Sequence, residues 1–123
     1  MEEIKVAGET AQFIVIRLGQ EQYGIDISYI ENIVRMQHIT RVPKLAPYLK
    51  GVINLRGEVI PIMCLSMKMG LPVEEETKAS RIIIIKMEQC GTIGLIVDEV
   101  KEVVTLDMTE QVEKLAFNKE DKN

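Results

Sequence analysis

The feature that most constrains this chain is an internal repeat. Shifted by 70 residues, Gly24 falls on Gly94, Ile25 on Leu95, Ile27 on Val97, Ile30 on Val100, Ile33 on Val103 and Val34 on Val104. The strands that precede these blocks also match, with a slip of one residue: Ile14 with Ile83, Ile16 with Ile85, Leu18 with Met87. A duplicated strand–turn–strand–turn unit explains the pattern. The apolar residues exceed what one thin barrel of about 60 residues can bury, so most of them form core between the two units.

The first copy starts with Gln12–Leu18, rich in β-branched residues, which predicts a strand. Gly19-Gln-Glu-Gln is a turn signal, and the alternating Tyr23-Gly-Ile-Asp-Ile predicts the returning strand of a hairpin. Ile27, Ile30, Ile33 and Val34 are then three and four apart, which predicts a short amphipathic helix capped by Ser28 with Glu31 three residues on. Pro43 and Pro47 impose a loop. Gly51–Ile62 predicts a second hairpin with its tip at 54–57, and Pro61 an edge position or a bulge in the outgoing strand. The second copy starts with Arg81–Met87, whose run Ile82–Ile85 suits a strand buried on both faces. It returns through 92–98, and Val97, Val100, Val103 and Val104 repeat the helical spacing.

The repeat also makes a demand that the second copy does not meet. Val34 is followed by a proline loop and a hairpin; Val104 is followed by Thr109–Phe117, enough for two turns of helix, and by the polar tail 118–123. The second unit is therefore expected to be incomplete.

Residues 1–70 carry a net charge of +1 and residues 71–123 one of −5, giving −4 in all. Arg35, Arg41, Lys44, Lys50 and Arg56 form a basic stripe, with no acid among residues 32–57. Such a stripe docks acidic partners or phosphates, or is simply a solvated face. Only Tyr48 offers a stacking ring there, and the overall acidity disfavours nucleic acid. No apolar run is long enough to cross a membrane as a helix, and Met1-Glu-Glu-Ile-Lys has no leader pattern. Two isolated cysteines, Cys64 and Cys90, read as small buried hydrophobes of a reduced, cytosolic protein.

Catalytic chemistry has little to work with. His38 is the lone imidazole and lies in a loop, and neither cysteine has metal-ligand spacing. Ser28, Ser66 and Ser80 lack the glycine frame of a nucleophile elbow. Gly51 and Gly57 are too far apart for a phosphate loop, and Asp26, Asp98 and Glu99 sit at strand ends, where acids face water or cap. The expectation is no catalytic residue, no metal and no cofactor. What remains is apolar surface with a polar rim, the substance of protein interfaces.

Three ordered blocks resemble one family. Tyr23-Gly-Ile-Asp-Ile with Ile30 and Ile33, then Thr40-Arg-Val-Pro and Leu49-Lys-Gly-Val-Ile-Asn-Leu-Arg-Gly-Glu-Val-Ile-Pro-Ile, then Gly94-Leu-Ile-Val-Asp-Glu-Val with Val103, are similar to CheW-type chemotaxis coupling domains. The resemblance spans residues 12 to about 108. It implies a mainly β fold of two small SH3-like five-stranded barrels around a shared apolar core, in one CheW-like domain over residues 1–123. It implies a non-enzymatic cytoplasmic adaptor at receptor arrays beneath the membrane, linking chemoreceptors to the regulatory domain of the histidine kinase CheA. Carried over, the groove that takes the helical receptor tip is expected at Ile27, Ile30, Asn32, Arg56, Val97 and Val100. The kinase surface is expected on the 51–59 hairpin, at Gly51, Leu55, Gly57 and Val59.

The sequence departs from the family in three places. Asn32 stands where the family has Glu, and Met63-Cys64-Leu65-Ser66 replaces a Val-Asp-Leu-Arg. Family members also continue through a further hairpin after the third block, so one barrel is expected to keep open strand edges. Two other readings follow: a self-associating or degenerate paralogue that dimerises through those edges, and a small nucleic-acid-binding barrel that uses the basic stripe.

Overall fold

The computed structural model describes residues 10–89 and 91–107. Eight strands form two sheets: β1 (Thr10–Leu18), β2 (Glu21–Asp26), β3 (Ile30–Arg35), β4 (Leu49–Leu55), β5 (Glu58–Cys64), β6 (Arg81–Met87), β7 (Gly91–Val97) and β8 (Glu99–Asp107). A 3-10 turn (Ile27–Tyr29) precedes β3, and a one-turn helix α1 (Leu65–Lys68) follows β5. One sheet has the order β2-β1-β8 and the other β3-β6-β7-β5-β4. The mainly β expectation holds; five strands lie in one sheet and three in the other. Cys90, Thr109–Phe117 and 118–123 lie outside the described residues.

Each repeat begins with an antiparallel hairpin, β1–β2 or β6–β7. The third strand of each then leaves its own hairpin and joins the other: β3 pairs with β6, and β8 with β1. The registers coincide. Ile30↔Ile85, Asn32↔Ile84, Ile33↔Ile83, Val34↔Ile82 and Arg35↔Arg81 become, under the repeat, Val100↔Ile16, Glu102↔Val15, Val103↔Ile14, Val104↔Phe13 and Thr105↔Gln12. The irregularity is duplicated too, at Glu31 in β3 and at Lys101 in β8. Because the third strands cross, each repeat's third strand extends the sheet begun by the other repeat's hairpin.

Here the helical expectation is overturned. Residues 30–35 and 99–107 are strands, and only Ile27–Tyr29 turns. A spacing of three places residues on opposite faces of a regular strand, but the bulge at Glu31 resets the alternation. Ile30 and Ile33 therefore both pack on the first core cluster, while Val34 packs on the second. β-Branched residues in a row favour this extended state. Ser28 is not the cap. Asp26 is: its Oδ1 accepts from the Ser28 amide at 2.9 Å and from the Ser28 hydroxyl at 2.8 Å.

β6 divides two cores. Ile83 and Ile85 join Ile14, Ile16, Leu18, Leu95 and Val97 between the sheets. Ile82 and Ile84 join Ile53, Ile60 and Ile62 on the other side. Four buried isoleucines on one strand represent roughly 6–12 kcal/mol of gross burial, before the entropy of ordering them. Cys64 is buried beside β7, as expected for a small hydrophobe.

Pro61 sits in β5, which is an interior strand. The expected edge nevertheless survives locally. β7 reaches only Ile62, Met63 and Cys64, so the half of β5 that contains Pro61 is paired on the β4 side alone. No helix among the described residues is long and apolar enough to cross a membrane.

Candidate protein-docking surface

The β4–β5 hairpin carries the best-defined exposed feature. Its loop is Arg56-Gly57, and both residues have positive φ, 54° and 85°. That is the two-residue turn whose twist matches a hairpin. Asn54 Oδ1 accepts from the Gly57 amide at 3.0 Å and fixes the turn. Arg56 sits at the turn, exposed, in a hollow that β3 also lines. Glu31, Asn32, Leu55, Arg56 and Glu58 line a hollow of about 410 Å³ floored by Ile60 and Ile84. Asn32 Oδ1 accepts from the Ile33 amide at 2.8 Å.

The structure thus brings Asn32 and Arg56 together. It sets the other expected groove residues apart. Ile27, Ile30 and Val100 are half-buried on the margin of the core between the sheets, and Ile27 borders a second hollow with Asp26 and Ser28. Val97 is 0% exposed, so its side chain meets no partner directly and acts from beneath.

The expected kinase surface divides the same way. Val59 is 62% exposed, Gly57 is exposed, and Leu55 is half-buried. Gly51 is buried with φ at 138°. A Cβ there would stand 2.1 Å from the Thr40 carbonyl oxygen, against which β4 packs through the Thr40↔Val52 bridge. Gly51 is a close-approach residue, and its role is to let the 40–41 segment lie on β4.

A third hollow, about 640 Å³, was not singled out from the sequence as a pocket. Arg41, Lys44 and Lys50 surround an apolar floor that includes Ile39, Leu45 and Ile96, with Glu76 on its rim. The basic stripe is therefore split: Arg35 lies with Arg81 and Lys78, and Arg56 with Glu31 and Glu58. His38 is exposed in its loop. Among the described residues no cluster of three His, Cys, Asp or Glu could hold a metal.

The acids at 98–99 serve the fold. Asp98 Oδ2 accepts from the Gly19 amide at 2.7 Å, and Glu99 Oε1 accepts from Arg17 Nε at 3.0 Å. These bonds tie the β1–β2 turn to the β7–β8 junction. The Arg17 hydrogen bond, and then the nearby Lys101 charge, hold the Glu99 carboxyl below its ordinary value. The Ser28 amide and hydroxyl do the same for Asp26.

Residues 12–123 match the CheW-like domain family. The chain is 39% identical over 99 residues to the chemotaxis protein CheW of Bacillus subtilis (strain 168), covering 80% of this chain and 63% of that protein. It is 36% identical over 107 residues to chemotaxis protein CheW of Klebsiella aerogenes, covering 83% and 62%. It is 30% identical over 116 residues to that of Thermotoga maritima, covering 90% and 74%. Among solved structures, the scaffolding protein TtCheW from Thermoanaerobacter tengcongensis matches with a TM-score of 0.76 at 36% identity, over 80% of this chain and 67% of that one. The chain spans less than two thirds of the length of the first two relatives.

Proposed function

The chain belongs to the CheW-like domain family, and from that premise we propose that it is a non-enzymatic cytoplasmic adaptor. It joins the cytoplasmic tip of a chemoreceptor to the regulatory domain of the kinase CheA at receptor arrays. The observation that carries the reading is the pairing of Asn32 with Arg56 in one hollow at the hairpin tip. Two polar groups over a floor of Ile60 and Ile84 suit a helical partner with a polar stripe beside an apolar one. The Glu usually found at the Asn32 position is absent, so recognition there rests on hydrogen bonding and on the Arg56 charge. Val59, exposed on the outgoing strand of the same hairpin, supports a second apolar contact on the kinase side.

Capture of the two partners tests the reading. A receptor-tip fragment and the CheA regulatory domain should each bind with Kd on the order of ten micromolar or tighter. Arg56→Asn keeps a residue tolerant of the left-handed turn and should weaken receptor capture by about tenfold, a loss of about 1.4 kcal/mol, while CheA capture is unchanged. Absence of both interactions at tenfold higher concentration would refute the adaptor reading.

A further inference from the structure

One face of the chain is basic although the whole chain carries −4. Two hollows meet there. The one of about 640 Å³ holds Arg41, Lys44 and Lys50, and its neighbour, about 470 Å³, holds Arg35, Lys78 and Arg81. Met36 and Glu76 line both hollows, so they form one continuous surface. Six cations share it with one acid, Glu76. None of its residues lines the Arg56 hollow.

The fold does not account for these charges. The ion pairs among the described residues are Arg17–Glu99, Lys86–Glu31 and Lys101–Glu99, and none takes one of the six cations. Arg35 stands directly opposite Arg81 on β3–β6, a like-charge pair that works against the sheet. Arg81 is held there by Nη1, which donates to the Lys78 and Ser80 carbonyl oxygens at 2.8 Å each. Lys44 lies in the Pro43-Lys44 turn with φ at 65°, a conformation that suits glycine. The Arg pair and the Lys44 turn each cost stability, and each keeps a cation on this one surface.

The floor between the charges is apolar. Ile39 and Ile96 are half-buried in the larger hollow, and Val42 and Leu45 are each 40% exposed at its margin. We propose that this surface docks an acidic peptide segment of a partner protein, with carboxylates on both flanks of a short apolar centre. The carboxylates meet the arginines and lysines, and the apolar centre enters over Ile39 and Ile96. Ile39 and Ile96 are recessed, which suits an inserted side chain better than a flat lipid surface. Nucleic acid would want a free stacking ring, but Tyr48 already carries Lys68, whose Nζ lies 4.4 Å from the ring centre. The surface is separate from the Arg56 hollow, so the outcome here and the outcome of receptor or CheA capture are independent.

The probe is a synthetic peptide, Asp-Glu-Asp-Leu-Ile-Glu-Leu-Asp-Glu, titrated into the isotope-labelled chain and followed by amide NMR. Saturable shifts centred on residues 36–50, 76–81 and 96 are expected, with a Kd on the order of 100 µM. Raising NaCl from about 50 to about 500 mM should weaken binding by about tenfold. Lys44→Gly removes a cation and eases the turn, and Arg35→Gln ends the like-charge pair. Each should leave the thermal midpoint unchanged or higher while weakening binding by about threefold, and about tenfold together. Glu76→Gln should tighten it. No saturable shift at about 1 mM peptide overturns the proposal, as does binding that survives both substitutions. Equal binding of the same peptide with Lys at every acidic position overturns the charge argument. Shifts at these residues with phosphatidylglycerol vesicles or poly(U) RNA, but not with the peptide, overturn it in favour of a membrane or nucleic acid. Shifts there on concentrating the chain alone overturn it in favour of a second copy.

Discussion

Gly94 and Gly24 are the same position of the repeat in two environments, so one substitution made twice isolates what β5 does. In Gly94→Ala, the new Cβ would lie 2.6 Å from Ile62 Cδ1, 2.8 Å from Ile82 Cγ2 and 3.3 Å from Ile84 Cδ1. Ile62 and Ile82 are fully buried, and β-branched side chains have few rotamers to retreat into. Overpacking of this kind costs about 1–3 kcal/mol. Removing a strand glycine returns roughly 0.5–1 kcal/mol, leaving a net loss of about 1–2 kcal/mol. In Gly24→Ala the nearest contact is an ordinary 3.4 Å to Phe13, so only the small gain remains. With a urea slope of about 1–3 kcal/mol/M, the Gly94→Ala midpoint should fall by roughly 0.5–1 M. The Gly24→Ala midpoint should hold or rise. Equal shifts in both variants would refute the claim that β5 sets the space at Gly94.

Three further outcomes are expected. Gly51→Ala should cost roughly 3 kcal/mol or more in urea unfolding, since its Cβ would stand 2.1 Å from a backbone oxygen at a φ of 138°. Val59→Asp, at a position 62% exposed, should change stability by less than about 0.5 kcal/mol. It should weaken CheA capture by about tenfold by forcing a charge into an apolar contact; unchanged capture would remove Val59 from the interface. For Glu99, the folded pKa lies below the ordinary 4.5. Its contribution is therefore fully present above that value and lost as pH falls through the lower folded value. Glu99→Gln should lower the neutral plateau slightly and flatten the acid side of the stability curve, so that the two proteins converge in acid, a result read by thermal melts from pH 7 downward.

The hairpins were legible because their signals are local. Alternation in Tyr23–Ile27, the turn residues at 54–57 and the isoleucine run of β6 each name their own conformation. The third strands were not. Ile30, Ile33 and Val34 have helical spacing, and the bulge at Glu31 that turns this into a strand pattern depends on pairing with β6, some fifty residues away. The candidate docking residues were legible in part. Asn32 and Arg56 line one hollow although β3 and β4 are the opposite edges of one sheet, a curl that neither segment reports on its own. Val97 and Gly51 carry the same motifs but are buried, and motif position alone does not report depth. The hollow around Arg41, Lys44 and Lys50 needed the chain to curl before its apolar floor could be seen.

The exchange of third strands has a mechanical meaning. Since β3 is held by β6 and β8 by β1, each sheet includes an element whose continuation lies in the other. The three-stranded sheet cannot close until β8 returns from the far end of the described residues to pair with β1, so its folding waits on long-range closure and should be slow. The crossing strands also join the two sheets covalently, β2 running on into β3 and β7 into β8. In the proposed adaptor, a displacement of one sheet is passed to the other through these two crossing strands.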